Sequence, residues 1–215
     1  MKLYSFFRSS AAYRVRIALN VKGLAYEYVA KHLRRDGGEQ LKPEYRAIQP
    51  QALVPALEDG GVVIPQSLAI IEYLEEAYPQ TPRLLPTAAA DRAIVRAIAQ
   101  AIACDIHPLN NLRVLNYLKS RMGQSEEASN AWYRHWIGEG FVALELWIGK
   151  HSGDGKHCFG AGVTLADVCL VPQVYNARRF QIDLAPYPRL AAVSSHLETL
   201  AAFVAARPEA QPDNE

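Results

Sequence analysis

Apolar and polar positions follow two different periods along this chain, and the change from one to the other comes near Ala88. Residues 2–6 form a short strand-like run. Ala11, Val15, Ala18 and Leu19 then share one helical face until Gly23 stops it. Residues 26–30 read as a second strand, followed by a polar loop through residues 34–38 and a helical turn over residues 43–47. Residues 54–58 and 62–64 flank Asp59-Gly60-Gly61, a hairpin signal, and Ser67 is placed to cap a helix over residues 68–77. The predicted order is βαβ, a short helix, then ββα.

From Ala88 onward strand patterns give way to helical spacing. Ile94, Ile98 and Ile102 repeat every four residues until Pro108, where a kink is expected. Tyr133, Ile137, Phe141, Leu144 and Ile148 draw a second stripe, and residues 165–176 and 190–206 are further helices. Residues 208–215 read as a frayed tail. Between the two regimes, Pro79, Pro82 and Pro86 stiffen an extended connector. The division expected is therefore a mixed domain over residues 1–78, a linker over 79–87 and an all-α domain over 88–215.

Composition narrows the function. The 215 residues are 50% hydrophobic, enough for one or two packed cores. Lys+Arg number 23 against 22 Asp+Glu, so no basic field marks nucleic acid or an anionic membrane as partner. A small molecule is the expected partner. Cys104, Cys158 and Cys169 have neither the spacing of a zinc site nor the number of a disulfide framework, so no metal is expected and a reducing cytoplasm fits. The first residues lack a long apolar stretch and no window approaches the length of a membrane span, so neither secretion nor membrane spanning is expected.

Chemistry concentrates at element junctions. Ser9 and Ser10 lie between the first strand and first helix, where a serine either caps the helix or turns its hydroxyl and the free N–H groups toward a bound group. Gln66 and Ser67 open a helix whose N–H groups and dipole suit a carboxylate, and Ser67 serves equally as a plain cap. Pro55 reads as the start of a strand.

Taken together, Ser9-Ser10 with the run Arg14-Val15-Arg16-Ile17-Ala18-Leu19, then Val54-Pro55, Gln66-Ser67-Leu68-Ala69-Ile70-Ile71-Glu72-Tyr73-Leu74, and Thr164 through Gln173, resemble the zeta class of glutathione transferases. The resemblance spans nearly the whole chain. It implies a thioredoxin-like N-terminal α/β domain, an all-α C-terminal domain, a homodimer and glutathione as cofactor. It further implies glutathione contacts at Ser9, Ser10, Gln40, Val54, Pro55, Gln66, Ser67, His107 and Asn111, with a cis peptide at Val54-Pro55. The class commonly has cysteine where this chain has Ala11, which leaves the thiolate to a serine hydroxyl.

The activity implied is cis–trans isomerisation of maleylpyruvate to fumarylpyruvate, with maleylacetoacetate as the near alternative substrate. A thiolate adding to the enone turns its double bond into a single bond that can rotate, and elimination restores the alkene. Ser9, Ser10 and Arg8 are the expected catalytic group. A dicarboxylic enone calls for guanidinium forks, and Arg8, Arg113, Arg178 and Arg179 are the candidates. Surface arginine is the ordinary reading of all four, and Arg14 and Arg16 are taken as structural. The Thr164/Asp167 capping box is read as a folding signal. Two further readings stay open: a transferase conjugating electrophiles in general, and a glutathione-binding module without catalysis.

Overall fold

The computed structural model describes residues 1–215 and divides into two compact units. The first comprises residues 1–84 together with Thr199–Glu215. Its strands β1 (Lys2–Ser5), β2 (Glu27–Ala30), β3 (Ala56–Asp59) and β4 (Val62–Pro65) form one sheet in the order β2-β1-β3-β4. β1 and β2 are parallel, joined through helix α1 (Ser10–Val21), whereas β3 and β4 make an antiparallel hairpin beside β1. Helix α2 (Pro43–Ile48) precedes the hairpin and α3 (Ser67–Ala77) follows it.

The two-residue strand period sorts the core. Leu3 and Leu57 face Val15, Leu19, Ile70 and Leu74 of α1 and α3, while Tyr4 and Ala56 face the opposite layer with Phe6, Phe7, Tyr45 and Val54. Lys22, at the end of α1, is buried and meets the Glu75 carboxylate at 2.6 Å. Its ammonium also donates to Thr81 Oγ1 and the Pro82 carbonyl, which anchors the start of the connector.

Residues 208–215 do not fray. Gln211 Nε2 donates to the carbonyls of Ala205 and Arg207, Asp213 accepts from Tyr28 and Phe7, and Glu215 pairs with Arg35. The expected helix over residues 190–206 is also two helices, α9 (Pro188–Leu197) and α10 (Ala201–Ala206). α10 packs on α1, burying Phe203 and Ala206, and therefore belongs with the first unit instead of the helical one.

The second unit, Leu85–Glu198, contains α4 (Ala89–Gln100), α5 (His107–Leu109), α6 (Leu112–Ser120), α7 (Glu126–His151), α8 (Leu165–Arg179) and α9. α4 buries Val95, Ile98 and Ala99, and Ile102 just beyond it is buried too, so the stripe runs through Val95 and Ile94 stays partly exposed. Ahead of Pro108 the helix widens into a π-helical turn over Ala101–Ile106. A proline cannot supply the N–H that an α-helical turn needs there, and its ring crowds the preceding carbonyl. The α7 stripe Tyr133, Ile137, Phe141, Leu144 and Ile148 is buried as its spacing predicts. α8, buried on nearly all sides, packs against α4 and α9. Its start carries the expected capping box: Asp167 accepts from the Thr164 amide and hydroxyl, each at 2.7 Å, and from the Cys158 amide at 2.7 Å. None of the helices is long and apolar enough to cross a membrane.

Candidate glutathione site

The sheet register collects four chain junctions at one end of the first unit. Ser5 pairs with Ala30, Tyr4 with Ala56, and Ala56 with Pro65. The segments that follow β1 and β2, precede β3 and follow β4 therefore leave the sheet together. They carry Arg8, Ser9 and Ser10; Gln40; Val54 and Pro55; and Gln66 and Ser67.

Ser9 is the N-cap of α1, in extended conformation, and its Oγ accepts the Ala12 N–H at 3.2 Å. Accepting from Ala12 leaves the hydroxyl hydrogen of Ser9 able to donate to a second partner. Ser10 is buried in the first turn, and Arg8 lies with its guanidinium carbon 5.4 Å from the Phe7 ring centre. Arg14 and Arg16 are both buried in α1 and hold structure. Arg14 Nη1 donates to Ser67 Oγ at 3.3 Å, tying α1 to α3.

The Val54-Pro55 peptide is cis. A polar chain connects its surroundings to α3: Gln66 Nε2 donates to Gln51 Oε1 at 2.8 Å, the Gln51 amide to Gln49 Oε1 at 2.5 Å, and Gln49 Nε2 to the Leu53 carbonyl at 3.2 Å. Tyr45 Oη donates to the same carbonyl at 2.7 Å. Ser67 does not cap α3. Gln66 occupies the cap position with φ of 69° and makes no side-chain cap, while Ser67 is the first helical residue and gives its hydroxyl oxygen to Arg14. A left-handed Gln66 aims its own side chain away from the helix axis, toward Gln51, so the first-turn N–H groups keep no side-chain acceptor.

Gln40 is buried in the loop after β2. Its Nε2 donates to the Leu33 carbonyl at 3.4 Å, and its Oε1 is enclosed without a hydrogen-bond partner. His32 organises that loop: Nδ1 accepts the amides of Arg34 and Arg35, at 3.1 and 2.7 Å, and Nε2 lies 3.4 Å from the Glu215 carboxylate.

In the second unit His107 opens α5, and Asn111 caps α6 by accepting the Arg113 amide at 3.0 Å. Arg113 is exposed. Arg178 Nη1 pairs with Glu198 at 2.6 Å, so its guanidinium is already committed. Arg179 lies over the Phe180 ring at 5.6 Å and reaches Asn176 Oδ1 at 3.4 Å, while Phe180 stacks on Tyr133 with 3.6 Å between ring centres. Burial pushes the Tyr133 phenol upward and Arg179 pulls it back. Sequence reasoning passed over Tyr133, which looked like one more core position on the α7 stripe, and over Asp213, which lay in the supposed frayed tail.

An uncapped α3 terminus with no acidic residue in its first turn suits a carboxylate, and the unpartnered Gln40 Oε1 suits an N–H donor. These are the functional groups of a γ-glutamyl tripeptide, so the residues present fit glutathione.

The comparisons place this architecture among known proteins. Residues 3–82 match the family model for the glutathione S-transferase N-terminal domain. A probable maleylacetoacetate isomerase of Vibrio cholerae serotype O1 is 54% identical over 98% of this chain and 97% of its own length. Among solved structures, a holo maleylpyruvate isomerase, described as a bacterial glutathione S-transferase of the zeta class, is 52% identical, covers 100% of both chains and superposes with a TM-score of 0.96. A maleylacetoacetate isomerase from Methylobacterium extorquens AM1, solved with bound malonate and glutathione, is 41% identical over 100% of both chains with a TM-score of 0.94. The chain belongs to the zeta class of the glutathione transferase family.

Proposed function

We propose that this protein is a glutathione-dependent cis–trans isomerase that converts maleylpyruvate to fumarylpyruvate, with maleylacetoacetate as its alternative substrate. What carries the reading is the full-length likeness to a probable maleylacetoacetate isomerase and a maleylpyruvate isomerase at 54% and 52% identity, over both units. Bound glutathione supplies the thiolate that adds to the enone and leaves again.

The chain's part is to keep that sulfur ionised and to hold a doubly charged acid. Ser9 donates its hydroxyl hydrogen to the sulfur, and the Ala12 N–H on the same oxygen polarises that hydroxyl. A hydrogen bond to a charged acceptor contributes about 1.5–3 kcal/mol, against roughly 0.3–1 kcal/mol from a helix terminus. The serine is therefore the larger influence, worth about one to two pKa units on a thiol that starts near ~8.5. The α3 amides with Ser67 and Gln66 hold the γ-glutamyl carboxylate, Val54 and Pro55 meet the cysteinyl backbone, and Gln40 accepts an N–H; Ser10, His107 and Asn111 complete the set. Arg8 and Arg179 clamp the substrate carboxylates. Arg113 tunes the choice of acid, and Arg178 has the weaker claim because Glu198 already neutralises it. The protein acts as a homodimer in a reducing cytoplasm.

Maleylpyruvate and maleylacetoacetate share the reacting enone and differ by one methylene, a discrimination of only about 1–3 kcal/mol. The test is turnover of each pure acid with and without glutathione. Glutathione-dependent conversion of both, faster for maleylpyruvate, is expected. Absence of glutathione dependence with either acid overturns the reading, and aryl-halide conjugation faster than isomerisation would make it a general transferase. Light scattering reads the oligomeric state.

A further inference from the structure

The Phe6–Ser9 turn carries the serine at its end, and several of its backbone groups are held from outside the turn. Ser9 N–H donates to the Phe6 carbonyl at 3.0 Å, closing the turn. The carbonyls of Phe6 and Phe7 accept from Arg16 Nη1 and Nη2 at 3.3 and 2.8 Å, and Arg16 Nε donates to the Ala206 carbonyl at 3.0 Å. The amide of Phe7, at the turn's first central position, donates to Asp213 Oδ2 at 3.1 Å. Asp213 is itself held, because its Oδ1 accepts the Tyr28 hydroxyl from β2 at 2.6 Å. Phe6 and Phe7 are 4% and 5% exposed, so water does not readily replace a missing acceptor.

Building on the isomerase reading, we propose that Asp213 is a positioning residue for Ser9: by accepting the Phe7 amide it fixes the turn from which the serine hydroxyl reaches the cofactor sulfur. The tail is ordered for this task by Gln211, buried and bonded to the Ala205 and Arg207 carbonyls. Asp213 also supplies negative charge near the buried Arg16 guanidinium, so one carboxylate supports both sides of the turn. The part is geometric. A hydroxyl displaced by a fraction of an ångström loses the alignment on which a short charged hydrogen bond depends.

Asp213→Ala and Asp213→Asn separate this from a merely structural contact. Asparagine keeps the geometry, because its Oδ1 accepts from Phe7 and its Nδ2 donates to the Tyr28 oxygen. With the full chain, the measurements are ultraviolet titration of bound glutathione, kcat and KM for maleylpyruvate, and thermal melting. In the alanine variant kcat is expected to fall roughly tenfold and the bound thiol pKa to rise by about one unit, with KM for glutathione changed less than about twofold. The asparagine variant is expected to recover most of both. A folded alanine variant with wild-type kcat and titration overturns the inference, as does an asparagine variant no better than alanine. If the alanine variant does not fold, Tyr28→Phe, which loosens the same carboxylate, is expected to raise the thiol pKa by a smaller amount; an unchanged titration there overturns the inference too. A wild-type protein whose bound thiol stays protonated at neutral pH sinks the isomerase reading first and this inference with it.

Discussion

Ser9 Oγ accepts the Ala12 N–H at 3.2 Å, so the oxygen caps the helix and keeps its hydroxyl available for the proposed thiolate contact. The sequence leaves these as competing readings, and the geometry makes them compatible. Ser9→Ala therefore does two things at once. It removes the cap, for a loss of about 1 kcal/mol in unfolding free energy, and it raises the pKa of bound glutathione by roughly one to two units. Urea denaturation and ultraviolet thiolate titration measure the two losses separately, and a variant with normal titration removes Ser9 from the reaction.

Arg14 spends one of its donors on Ser67, so Ser67→Ala is a test of how α1 and α3 are joined. Loss of a buried acceptor for a guanidinium is expected to destabilise the protein by about 1–3 kcal/mol. The α3 amides stay in place, so glutathione binding should weaken less than about tenfold. A denaturation midpoint equal to wild type would show that the Arg14–Ser67 contact carries no stability.

The first unit was readable because its strands alternate cleanly: Leu3 and Leu57 against Tyr4 and Ala56 assign each side chain to one layer without ambiguity. The hairpin at Asp59-Gly60-Gly61 and the Thr164/Asp167 box are local signals of the same kind. Helix α6 was passed over although Leu112, Leu115 and Leu118 recur at helical spacing, because the segment is short and Leu118 is its only fully buried residue. The break after Leu197 is a tertiary decision, made where α10 gains more by burying Phe203 and Ala206 on α1 than by continuing α9. Asp213 was invisible for the same reason: its partner Phe7 lies 206 positions away, and composition marks the tail only as polar. Gln66 adopts φ of 69°, a conformation glutamine rarely takes, so Ser67 looked like the cap.

Arg178 and Arg179 are adjacent in sequence and unlike in circumstance. Both are exposed, but Arg178 is paired with Glu198, whereas Arg179 rests on Phe180 beside Tyr133. Arg179→Ala is expected to raise KM for maleylpyruvate about tenfold or more, with little change in KM for glutathione. Arg178→Ala should leave both constants within about twofold and lower stability by about 0.2–1 kcal/mol, as for an exposed ion pair. Equal effects of the two variants on diacid KM would show that the Glu198 pairing does not withhold Arg178.

Burial pushes the phenols of Tyr28, Tyr45 and Tyr133 well above the ordinary tyrosine range, and the Asp59 hydrogen bond brings Tyr78 up to about 12. These groups are raised in the folded state, so the stability they contribute is complete below the unfolded value of about 10 and is lost as pH climbs through the folded values. Of the 11 tyrosines, only a fraction should ionise between about pH 10 and 11, with the rest appearing together with unfolding. Tyrosinate absorbance followed alongside circular dichroism checks this, and smooth titration of all the phenols without loss of structure contradicts it.

Gly38 stands at φ of 103°, and a Cβ there would lie 2.7 Å from Gln40 Nε2 and 2.8 Å from Gln40 Oε1. Alanine at this position therefore both strains the backbone and displaces the amide that the loop keeps enclosed. Because Gln40 Oε1 has no partner within the protein, the role assigned to it is to accept an N–H of glutathione. Gly38→Ala and Gln40→Leu should then share one signature: KM for glutathione rises about five- to tenfold, as for one lost hydrogen bond, while kcat at saturating glutathione stays within about twofold. The alanine variant loses an additional ~1 kcal/mol of stability that the leucine variant does not, because only it forces a side chain into the left-handed region. If Gln40→Leu leaves KM for glutathione unchanged, the enclosed oxygen serves the loop and not the cofactor, and any effect of Gly38→Ala is then one of strain alone.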